Sequence, residues 1–518
     1  MQNSRILWVD DEVEALRPHI LYLEGRGISV LTATNATDAL VLIKTESLDC
    51  VLLDEHMPGP SGLDVLPQIK ALRPSLPVVM VTKSEEDGLM NDALGSQLAD
   101  YLLKPVQPRQ VLSTLTRILE QSQLQGARSA SRYQQEFREL GERLAAAQSW
   151  LAWTEVYREL TRWDRELAGG EAESMRAMLD HQREEANRLF TRWWAAEYPD
   201  LLHDEQSPCL FSHQLLDARI KPMLERGEKV VLLVFDNLRL DQWQEIQPLM
   251  TSRFRVESDD LYASILPTAT QYARNALLGG AMPSELAKRH PDRWVRDVLD
   301  SEGGRNSNED FYLSHWAASR GFSTPGYAKL THGASEQKFV SKWREMRSKD
   351  LVAVVINFID RMSHAKTDEA ILRDLARDDR GFRSLTVSWW THSPLKAWVD
   401  DLAQDGCTLV VTTDHGTILV RKPVTVRGPR ELTANLRYKV GRGLEFKERE
   451  VALMAEPERL GIPPTNLGDK VLFAGNQDYF VYQNHYHHHV EKFDGSYQHG
   501  GISLEEVMVP FAVLRPRT

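Results

Sequence analysis

The chain has 518 residues, of which 42% are hydrophobic and 26% charged, and its formal net charge is −12. This length exceeds one ordinary core and predicts several domains of a soluble globular protein. The acidic balance excludes a general electrostatic grip on duplex DNA, which needs a basic surface.

The first residues, MQNSRILWVDDE, lack the basic and apolar parts of a secretory signal. No run of about 18 apolar residues predicts a helix across a membrane. The three cysteines Cys50, Cys209 and Cys407 are far apart and form no metal-binding pair, which is typical of a reducing compartment. We therefore expect a cytoplasmic protein without membrane insertion.

Residues 1–120 alternate short apolar runs with helical patterns. Strands are predicted at residues 5–9, 28–32, 50–53, 78–82 and 100–103, with helices between them, for example at 38–44 and 63–72. Five strands alternating with helices predict an α/β fold with a doubly wound parallel sheet, whose sites lie at the carboxyl ends of the strands.

Polar side chains end these predicted strands. Asp10 and Asp11 follow the first strand, Asp54 ends the third, Thr82 ends the fourth and Lys104 follows the fifth. Because the strand ends converge, the three carboxylates would bind a hard divalent cation such as Mg²⁺. The hydroxyl and ammonium groups would hold an acyl phosphate formed on one carboxylate.

These residues lie in the segments VDDE, LLDEHMPGPSG, VTKS and LKP, and the first 120 residues resemble the receiver domains of response regulators. The resemblance implies that Asp54 is phosphorylated by a sensor histidine kinase. It also implies a Mg²⁺ site of Asp10, Asp11, Asp54 and the His56 carbonyl. Thr82, Tyr101 and Lys104 would then be switch residues, and phosphorylation would produce a homodimer.

Residues 121–205 are rich in Glu, Arg, Gln, Leu and Ala, and contain no proline until Pro199. Apolar residues recur at helical spacing, which predicts a helical bundle with a turn at Gly169 and Gly170. A solvated charged surface is favoured over a nucleic-acid surface, because glutamates lie between the arginines.

Buried strands return between residue 206 and the end, at residues 229–235, 351–358, 408–412 and 479–482. Asp236, Asp360 and Asp414 follow or end the first three. This repetition predicts an α/β enzyme domain of residues 206–518 that collects ligands at one edge of its sheet.

Histidines accompany these acids: His364 is four residues after Asp360, His415 follows Asp414, and His499 lies in YQHGG. Carboxylate and imidazole ligands without thiolates suit Zn²⁺ or Mn²⁺. Two such ions about 4 Å apart can hold the attacking and leaving oxygens of a displacement at phosphorus. Thr268 and Thr270, in LPTATQYARN, are both candidate nucleophiles.

Two further segments have metal- or phosphate-binding composition. The segment HYHHH contains His485, His487, His488 and His489, but consecutive residues cannot all face one ion, and we expect them at a pocket edge or the surface. The segment RYKVGRG has the composition of a phosphate-binding loop, although a solvent-facing loop is favoured. Candidate contacts to substrate phosphates are Arg274, Asn275, Arg437, Lys439 and Arg442.

The order of these motifs is similar to that of the alkaline phosphatase superfamily, including its nucleotide pyrophosphatase/phosphodiesterase branch. The resemblance implies two zinc sites in the output domain. One consists of Asp236, Thr270, Asp414 and His415, and the other of Asp360, His364 and His499. It favours Thr270 over Thr268, because the P-T-x-T pattern places the attacking hydroxyl at the second threonine.

A receiver, a helical middle region and an alkaline-phosphatase-like domain together resemble PorX-type response regulators, whose output is called a PglZ domain. The resemblance implies phosphodiesterase activity on oligonucleotides, including cyclic ones, and a part in controlling type IX secretion. Alternatives are a phosphomonoesterase or sulfatase, or a metal-stabilised scaffold that contacts a sigma factor or secretion-system protein. A DNA-binding output is disfavoured, because no helix-turn-helix pattern with a basic recognition helix follows residue 120.

Overall fold

The computed structural model describes residues 4–73, 76–83, 98–167, 173–204, 206–295, 306–368, 376, 378–428, 435–464, 466–482 and 486–517. The predicted turn at Gly169 and Gly170 and the position of His485 lie outside these residues. The chain forms two compact units. The first contains Met1–Glu139, Trp163–Asp180 and Arg380–Ser388, and the second contains Leu140–Arg162, His181–Asp379 and Trp389–Thr518.

The first unit contains a five-stranded sheet in which every neighbouring pair is parallel. Its strands are β1 (Ser4–Val9), β2 (Ile28–Ala33), β3 (Cys50–Asp54), β4 (Val78–Thr82) and β5 (Asp100–Leu103). The spatial order β2-β1-β3-β4-β5 is that of a doubly wound sheet. The predicted fold of this region and its five strands are confirmed.

Helices cover both faces of this sheet: α1 (Arg17–Glu24), α2 (Ala36–Thr45), α3 (Gly62–Leu72) and the beginning of α4 (Pro108–Ala146). Successive side chains of a strand point to opposite faces. Leu7 therefore packs with Ile43 of α2 on one face, whereas Trp8 packs with Leu23 of α1 and Leu115 of α4 on the other.

The middle region is helical, as predicted, and consists of α4, α5 (Trp150–Glu166) and α6 (Glu173–Leu201). The predicted domain boundary at residue 120 falls inside α4, which continues without interruption to Ala146. In the second unit, aromatic side chains join α5 to α6: the ring centroids of Trp153 and Phe190 are 5.4 Å apart, and those of Trp150 and Trp194 are 5.7 Å apart.

The second unit contains thirteen of the described strands: β6 (Val230–Phe235), β7 (Phe254–Ala263), β8 (Gly326–Leu330), β9 (Leu351–Ile356), β10 (Thr408–Thr413), β11 (Ile418–Leu419), β12 (Lys422–Thr425), β13 (Tyr438–Gly441), β14 (Leu453–Ala455), β15 (Lys470–Phe473), β16 (Asp478–Val481), β17 (Tyr497–Gln498) and β18 (Met508–Pro516). Six of them form the main sheet, in the order β7-β18-β10-β6-β9-β8. The remaining strands form two pairs, β11-β17 and β12-β16, and the three-stranded sheet β13-β15-β14.

Its helices are α7 (Lys221–Glu225), α8 (Leu240–Met250), α9 (Thr270–Gly279), α10 (Pro283–Arg289), α11 (Glu309–Ser319), α12 (Gly333–Lys342), α13 (Phe358–Asp368), α14 (Asp379–His392), α15 (Pro394–Gln404), α16 (Tyr486–Phe493) and α17 (Leu504–Val507). Residues of α14 from Arg380 to Ser388 belong to the first unit. The core of the second unit is built on the main sheet, where Val230, Leu232 and Val234 of β6 pack with apolar side chains of β9 and β18.

Strands β10, β6 and β9 are parallel neighbours, so their carboxyl ends meet at one edge. The prediction for residues 351–358 is wrong at its end. Strand β9 stops at Ile356 and Phe358 begins α13, because the Phe358 ring stacks on Trp389 with centroids 4.4 Å apart. The last predicted strand, β16, pairs with β12 outside the main sheet and ends one residue early, at Val481.

Cys50, Cys209 and Cys407 are buried free thiols. Among the helices in the described parts of the chain, none is both long enough and apolar enough to cross a membrane.

Candidate active site

The acidic residues of the first unit meet where β1 and β3 end. Asp10, Asp11 and Asp54 each place a carboxylate oxygen within 4.8 Å of the other two. The Lys104 ammonium group lies 2.9 Å from both Asp10 Oδ2 and Asp54 Oδ2. Burial raises the pKa of Asp54, although its hydrogen bond from Lys104 opposes this. An all-oxygen set fits Mg²⁺, and the role of Lys104 as the phosphate-binding cation stays a prediction.

The other predicted receiver residues surround this group at different depths. Thr82 ends β4 and is buried, whereas Tyr101 in β5 is 43% exposed. His56 is exposed, and its backbone N–H lies 3.5 Å from Asp54 Oδ1. Sequence reasoning missed Gly62, where a Cβ atom would lie 2.3 Å from the Asp54 carbonyl oxygen. The available signal was its place in the quoted segment LLDEHMPGPSG.

In the second unit, Asp236 follows β6, and Asp414 and His415 follow the neighbouring strand β10. His415 Nε2 lies 3.8 Å from Asp236 Oδ1 and 3.7 Å from Asp414 Oδ2. All three residues are buried. The structure thus brings together the three side chains that were predicted to share one metal site.

The second predicted ligand group is adjacent to the first. Asp360 and His364 lie one turn apart on α13, and Asp360 Oδ1 is 3.5 Å from His364 Nε2. The same oxygen lies 3.6 Å from His499 Nε2, and the His499 ring stacks on His415 with centroids 4.3 Å apart. Both ligand groups therefore border one site.

The two candidate nucleophiles differ in their surroundings. Thr270 is the first residue of α9, and its hydroxyl lies 3.0 Å from His415 Nε2 and 3.5 Å from Asp236 Oδ1. The Thr268 hydroxyl instead donates to the Gly501 carbonyl and accepts the Gly500 N–H. Only Thr270, of these two, faces the ligand groups.

A buried guanidinium adjoins the site. Arg274 Nη1 lies 2.6 Å from Asp236 Oδ2 and 3.6 Å from Asp414 Oδ2, and its Nε donates to Glu309 over 2.7 Å. Sequence reasoning missed Glu309 and also Asn357, whose amide donates to Asp236 Oδ2 over 2.7 Å. Glu309 follows no strand and lies in no Asp–His pattern, so the motifs contained no signal for it. Asn357 directly follows β9 and precedes the Asp360–His364 pair, so its place at the strand end was the available signal.

The charges of the site act on its titratable groups. Burial and the neighbouring Asp236 raise the pKa of Asp360 to about 6. Burial opposes the ionisation of Asp236, but Arg274 and His415 hold its pKa below the usual range. Burial lowers the pKa of His499 well below its usual value, and His415 adds to this effect. Crowded carboxylates beside a neutral imidazole are what a divalent cation stabilises.

The donor atoms of the two ligand groups are suited to bind such cations. In the described part of the chain, the buried atoms Asp360 Oδ1, Asp414 Oδ2 and His499 Nδ1 have no hydrogen-bond partner. His415 Nδ1 lies 3.1 Å from the Gly416 carbonyl oxygen, the kind of contact that orients a metal-binding histidine through its second ring nitrogen, and Nε2 faces the ligand group. Mixed carboxylate and imidazole donors fit Zn²⁺ or Mn²⁺, and the metal identity stays a prediction.

The predicted phosphate contact of Arg437 is wrong. In the segment RYKVGRG, residues 438–441 form strand β13, whereas Arg442 and Gly443 follow the strand and face solvent. Arg437 is fully buried and bonds Glu506 through Nε and Nη2, at 3.1 and 2.6 Å, which leaves it inaccessible to substrate. Lys439 is also buried, with its ammonium group 4.7 Å from the Tyr482 ring centroid. Arg442 is 61% exposed, 4.0 Å from Asp469.

The remaining candidate residues that the structure describes lie on helices α9 and α16. Asn275 is buried and its amide nitrogen donates to the Gln271 carbonyl within α9, so its contact with a phosphoryl oxygen stays a prediction. His487 and His488 are exposed at the start of α16, as expected for surface residues.

Profiles of three protein families match consecutive parts of the chain. The response regulator receiver domain matches residues 6–116, and the PorX response regulator linker domain matches residues 123–202. The BREX system PglZ alkaline phosphatase-like domain matches residues 215–514, which is more than half of the chain.

Curated relatives match the first unit. The alginate biosynthesis transcriptional regulatory protein AlgB of Pseudomonas putida is 38% identical over 122 residues, which are 24% of this chain and 27% of that protein. The alkaline phosphatase synthesis transcriptional regulatory protein PhoP of Bacillus subtilis is 33% identical over 124 residues, 24% of this chain and 51% of that protein. The chain thus spans about a quarter to a half of the length of these relatives.

Solved receiver structures are similar to the same part. A response regulator receiver domain protein from Clostridium thermocellum is 30% identical and covers 24% of this chain and 98% of its own, with a TM-score of 0.22. A CheY-like receiver domain protein from Methanospirillum hungatei is 32% identical and covers 23% of this chain and 94% of its own, with a TM-score of 0.21. The three family matches follow one another along the chain, and on these matches the sequence belongs to the PglZ alkaline phosphatase-like family and has the receiver, linker and output domains of a PorX-type response regulator.

Proposed function

We propose that this chain is a response regulator phosphorylated on Asp54, whose output domain is a phosphodiesterase with Thr270 as its nucleophile. The observation that carries the proposal is the position of the Thr270 hydroxyl, 3.0 Å from His415 Nε2, at the site that both ligand groups border. A hydroxyl among divalent-cation ligands is suited to phosphoryl transfer.

In the first step, the Thr270 oxygen attacks phosphorus and the bond from phosphorus to the leaving alcohol breaks. The Thr270 hydroxyl, 3.5 Å from Asp236 Oδ1, releases its proton to solvent water, and the leaving oxygen takes up one proton from solvent water as the alcohol departs. Backbone N–H groups in the first turn of α9 are available to the phosphoryl oxygens. Water then cleaves the phosphothreonine, which restores the hydroxyl and releases a phosphomonoester.

Two zinc ions fit the output site, with Mn²⁺ as the alternative, and when bound they supply Lewis-acid stabilisation of charge on the phosphoryl oxygens. One would be held by Asp236, Thr270, Asp414 and His415, and the other by Asp360, His364 and His499. Arg274 positions Asp236 through their ion pair. The proposed substrates are oligonucleotides, including cyclic ones, and the support for this class is the family resemblance.

In the receiver, a sensor histidine kinase is the proposed phosphodonor. Asp54 would accept the phosphoryl group beside Mg²⁺ held by Asp10 and Asp11, and Lys104 would bind a phosphoryl oxygen. The switch residues Thr82 and Tyr101 would respond and favour a homodimer. A role in type IX secretion control, with a sigma factor or secretion-system protein as a further partner, belongs to the same proposal.

The proposal is tested by comparing chromogenic phosphodiesters, phosphomonoesters and sulfate esters as substrates of the zinc-loaded full chain. We expect hydrolysis of the phosphodiester, its loss in Thr270→Ala and partial retention in Thr270→Ser. A strong preference for a phosphomonoester or sulfate ester contradicts the proposed substrate class. If Thr270→Ala abolishes hydrolysis but leaves regulation in cells intact, hydrolysis is not the physiological function of the domain, and the domain acts in cells as a scaffold.

A further inference from the structure

Residues 497–506, here named the His499 segment, carry one proposed metal ligand on a tightly constrained backbone. Gly500 has a left-handed φ of 118°, where a side chain is strained. At Gly501 a Cβ atom would lie 2.5 Å from the Ala474 carbonyl oxygen. The position of the His499 ring is therefore set by what holds this backbone on either side.

Helix α6 of the middle region bonds directly to this backbone. The Thr191 hydroxyl donates to the Ile502 carbonyl over 3.1 Å, and the Leu504 N–H donates to Asn187 Oδ1 over 2.8 Å. The other end of the Asn187 amide donates to Glu505 Oε2 over 2.9 Å. Asn187 and Thr191 are only 4% and 8% exposed, so water does not readily replace these bonds.

A charged contact extends the same interface. Arg183, one turn before Asn187 on α6, lies 3.2 Å from Glu505 Oε1. Three α6 side chains at helical spacing thus face one segment of ten residues. Arg183 and Asn187 share the Glu505 carboxylate, and Asn187 and Thr191 also bond the backbone. All of these residues belong to the second unit.

We infer that α6 is a positioning element of the output metal site, and that Asn187 and Thr191 hold His499 at the distance at which it can bind a cation. The inference rests on the proposed function in one respect, the role of His499 as a metal ligand. It extends that function by giving the middle region a part in the site: a displacement of α6 breaks these hydrogen bonds together and weakens one metal site.

The physical reason is the narrow geometry of metal coordination. Groups that orient a ligand from outside the coordination shell typically change metal affinity by about 10- to 100-fold when they are lost. Asn187 and Thr191 act on the backbone three to five residues from His499, so the effect is transmitted through a short, fully bonded segment. The other proposed ion would be held by Asp236, Asp414 and His415, none of which lies on this segment.

The test titrates Zn²⁺ into the metal-free full chain and compares Asn187→Leu and Thr191→Val with the parent. These substitutions keep side-chain size but remove the hydrogen bonds. We expect the zinc ion of the Asp360, His364 and His499 group to bind about 10-fold less tightly, at an unchanged affinity of the other ion. Thr191→Ser, which keeps the hydroxyl, should stay near the parent. Arg188→Gln, at an exposed position on α6, is the control and should change neither affinity.

His499→Ala separates failure of the inference from failure of the proposed function. If His499→Ala also binds two zinc ions with parent affinity, His499 is not a ligand and the proposed metal site fails. If His499→Ala loses one ion but Asn187→Leu and Thr191→Val do not weaken it, the inference about α6 is wrong. Equal weakening of both ions, with a lowered melting temperature of the metal-free variants, also overturns it, because that result indicates a general structural role.

Discussion

The receiver site and the output site occupy the same place in two different sheets. In both, acids follow parallel neighbouring strands, and in both a basic side chain bonds a central carboxylate: Lys104 with Asp54, and Arg274 with Asp236. They differ in ligand chemistry and depth. The receiver has three carboxylates, one of them exposed, whereas the output site adds three imidazoles and buries Asp236, Asp414 and His415 completely.

In the proposed function, the same position at the strand ends serves two kinds of phosphoryl chemistry. The receiver forms an acyl phosphate, and the output domain forms a phosphate ester. Oxygen ligands near the surface suit an exchangeable Mg²⁺, and a carboxylate nucleophile forms a reactive acyl phosphate. Imidazole ligands suit a tightly held Zn²⁺, and a hydroxyl nucleophile forms a phosphate ester that water can cleave. The side chains that end the strands, rather than the strand order, decide the chemistry.

The largest expected effect is the loss of phosphorylation in Asp54→Asn, which distinguishes the Asp54 carboxylate from the Thr270 hydroxyl. Asp54→Asn should abolish labelling by a small-molecule acyl-phosphate donor, because the amide cannot accept the phosphoryl group, while the basal phosphodiester hydrolysis and zinc content stay unchanged. Intact-mass measurement detects the added phosphoryl group. Thr270→Ala is the reciprocal control and should still be labelled. Residual stoichiometric labelling of Asp54→Asn would place the acceptor elsewhere.

The next effect concerns the buried cation of the output site. Arg274→Met should lower the free energy of unfolding of the metal-free chain by about 3–5 kcal/mol, because Asp236 and Glu309 lose their buried partner. Added Zn²⁺ should restore part of this stability. Denaturant unfolding measures both values.

Arg442→Met is the matched control for Arg274→Met. Arg442 is 61% exposed and 4.0 Å from Asp469, so the change should stay within about 0.5 kcal/mol. If the two substitutions destabilise the chain equally, the burial of Arg274 does not explain its contribution to stability.

A pair of isosteric substitutions tests whether the Mg²⁺ site of the receiver and the zinc site of the output domain are independent of each other. Asp414→Asn should weaken zinc binding by about 100-fold, because it removes a ligand charge, without altering Mg²⁺-dependent phosphorylation. Asp11→Asn should raise the Mg²⁺ concentration needed for phosphorylation by about 10-fold and leave zinc content unchanged. Metal analysis and phosphorylation assays at varied Mg²⁺ check both. A crossed effect would show that the sites share a metal or depend on each other.

The smallest effect is expected for the exposed histidines of α16. Replacing His487 and His488 together with glutamine should leave two zinc ions per chain and change stability by less than about 0.5 kcal/mol. Loss of one ion would mean that this helix supplies a ligand after all, and would break the assignment of the output ligands to the strand ends and α13.

The sequence by itself determined the chemistry at the strand ends. Apolar runs that stop at Asp54, Asp236 and Asp414 predict buried parallel strands with acids at one edge, because period and composition are local properties of the chain. The Asp360–His364 spacing likewise follows from one helical turn. These predictions needed no knowledge of how distant segments meet.

No local pattern places distant groups beside these strand ends. The family resemblance grouped His499 with Asp360, and the tertiary structure brings the two side chains together. His499 reaches Asp360 across more than 130 residues of chain, whereas His487 and His488, nearer in sequence, are exposed. Arg437 has the composition of a phosphate ligand, but burial beside Glu506 makes it structural. The physical reason is that contacts between remote segments depend on the backbone path, here including the left-handed Gly500 and the hydrogen bonds from α6, and neither leaves a local pattern in the sequence.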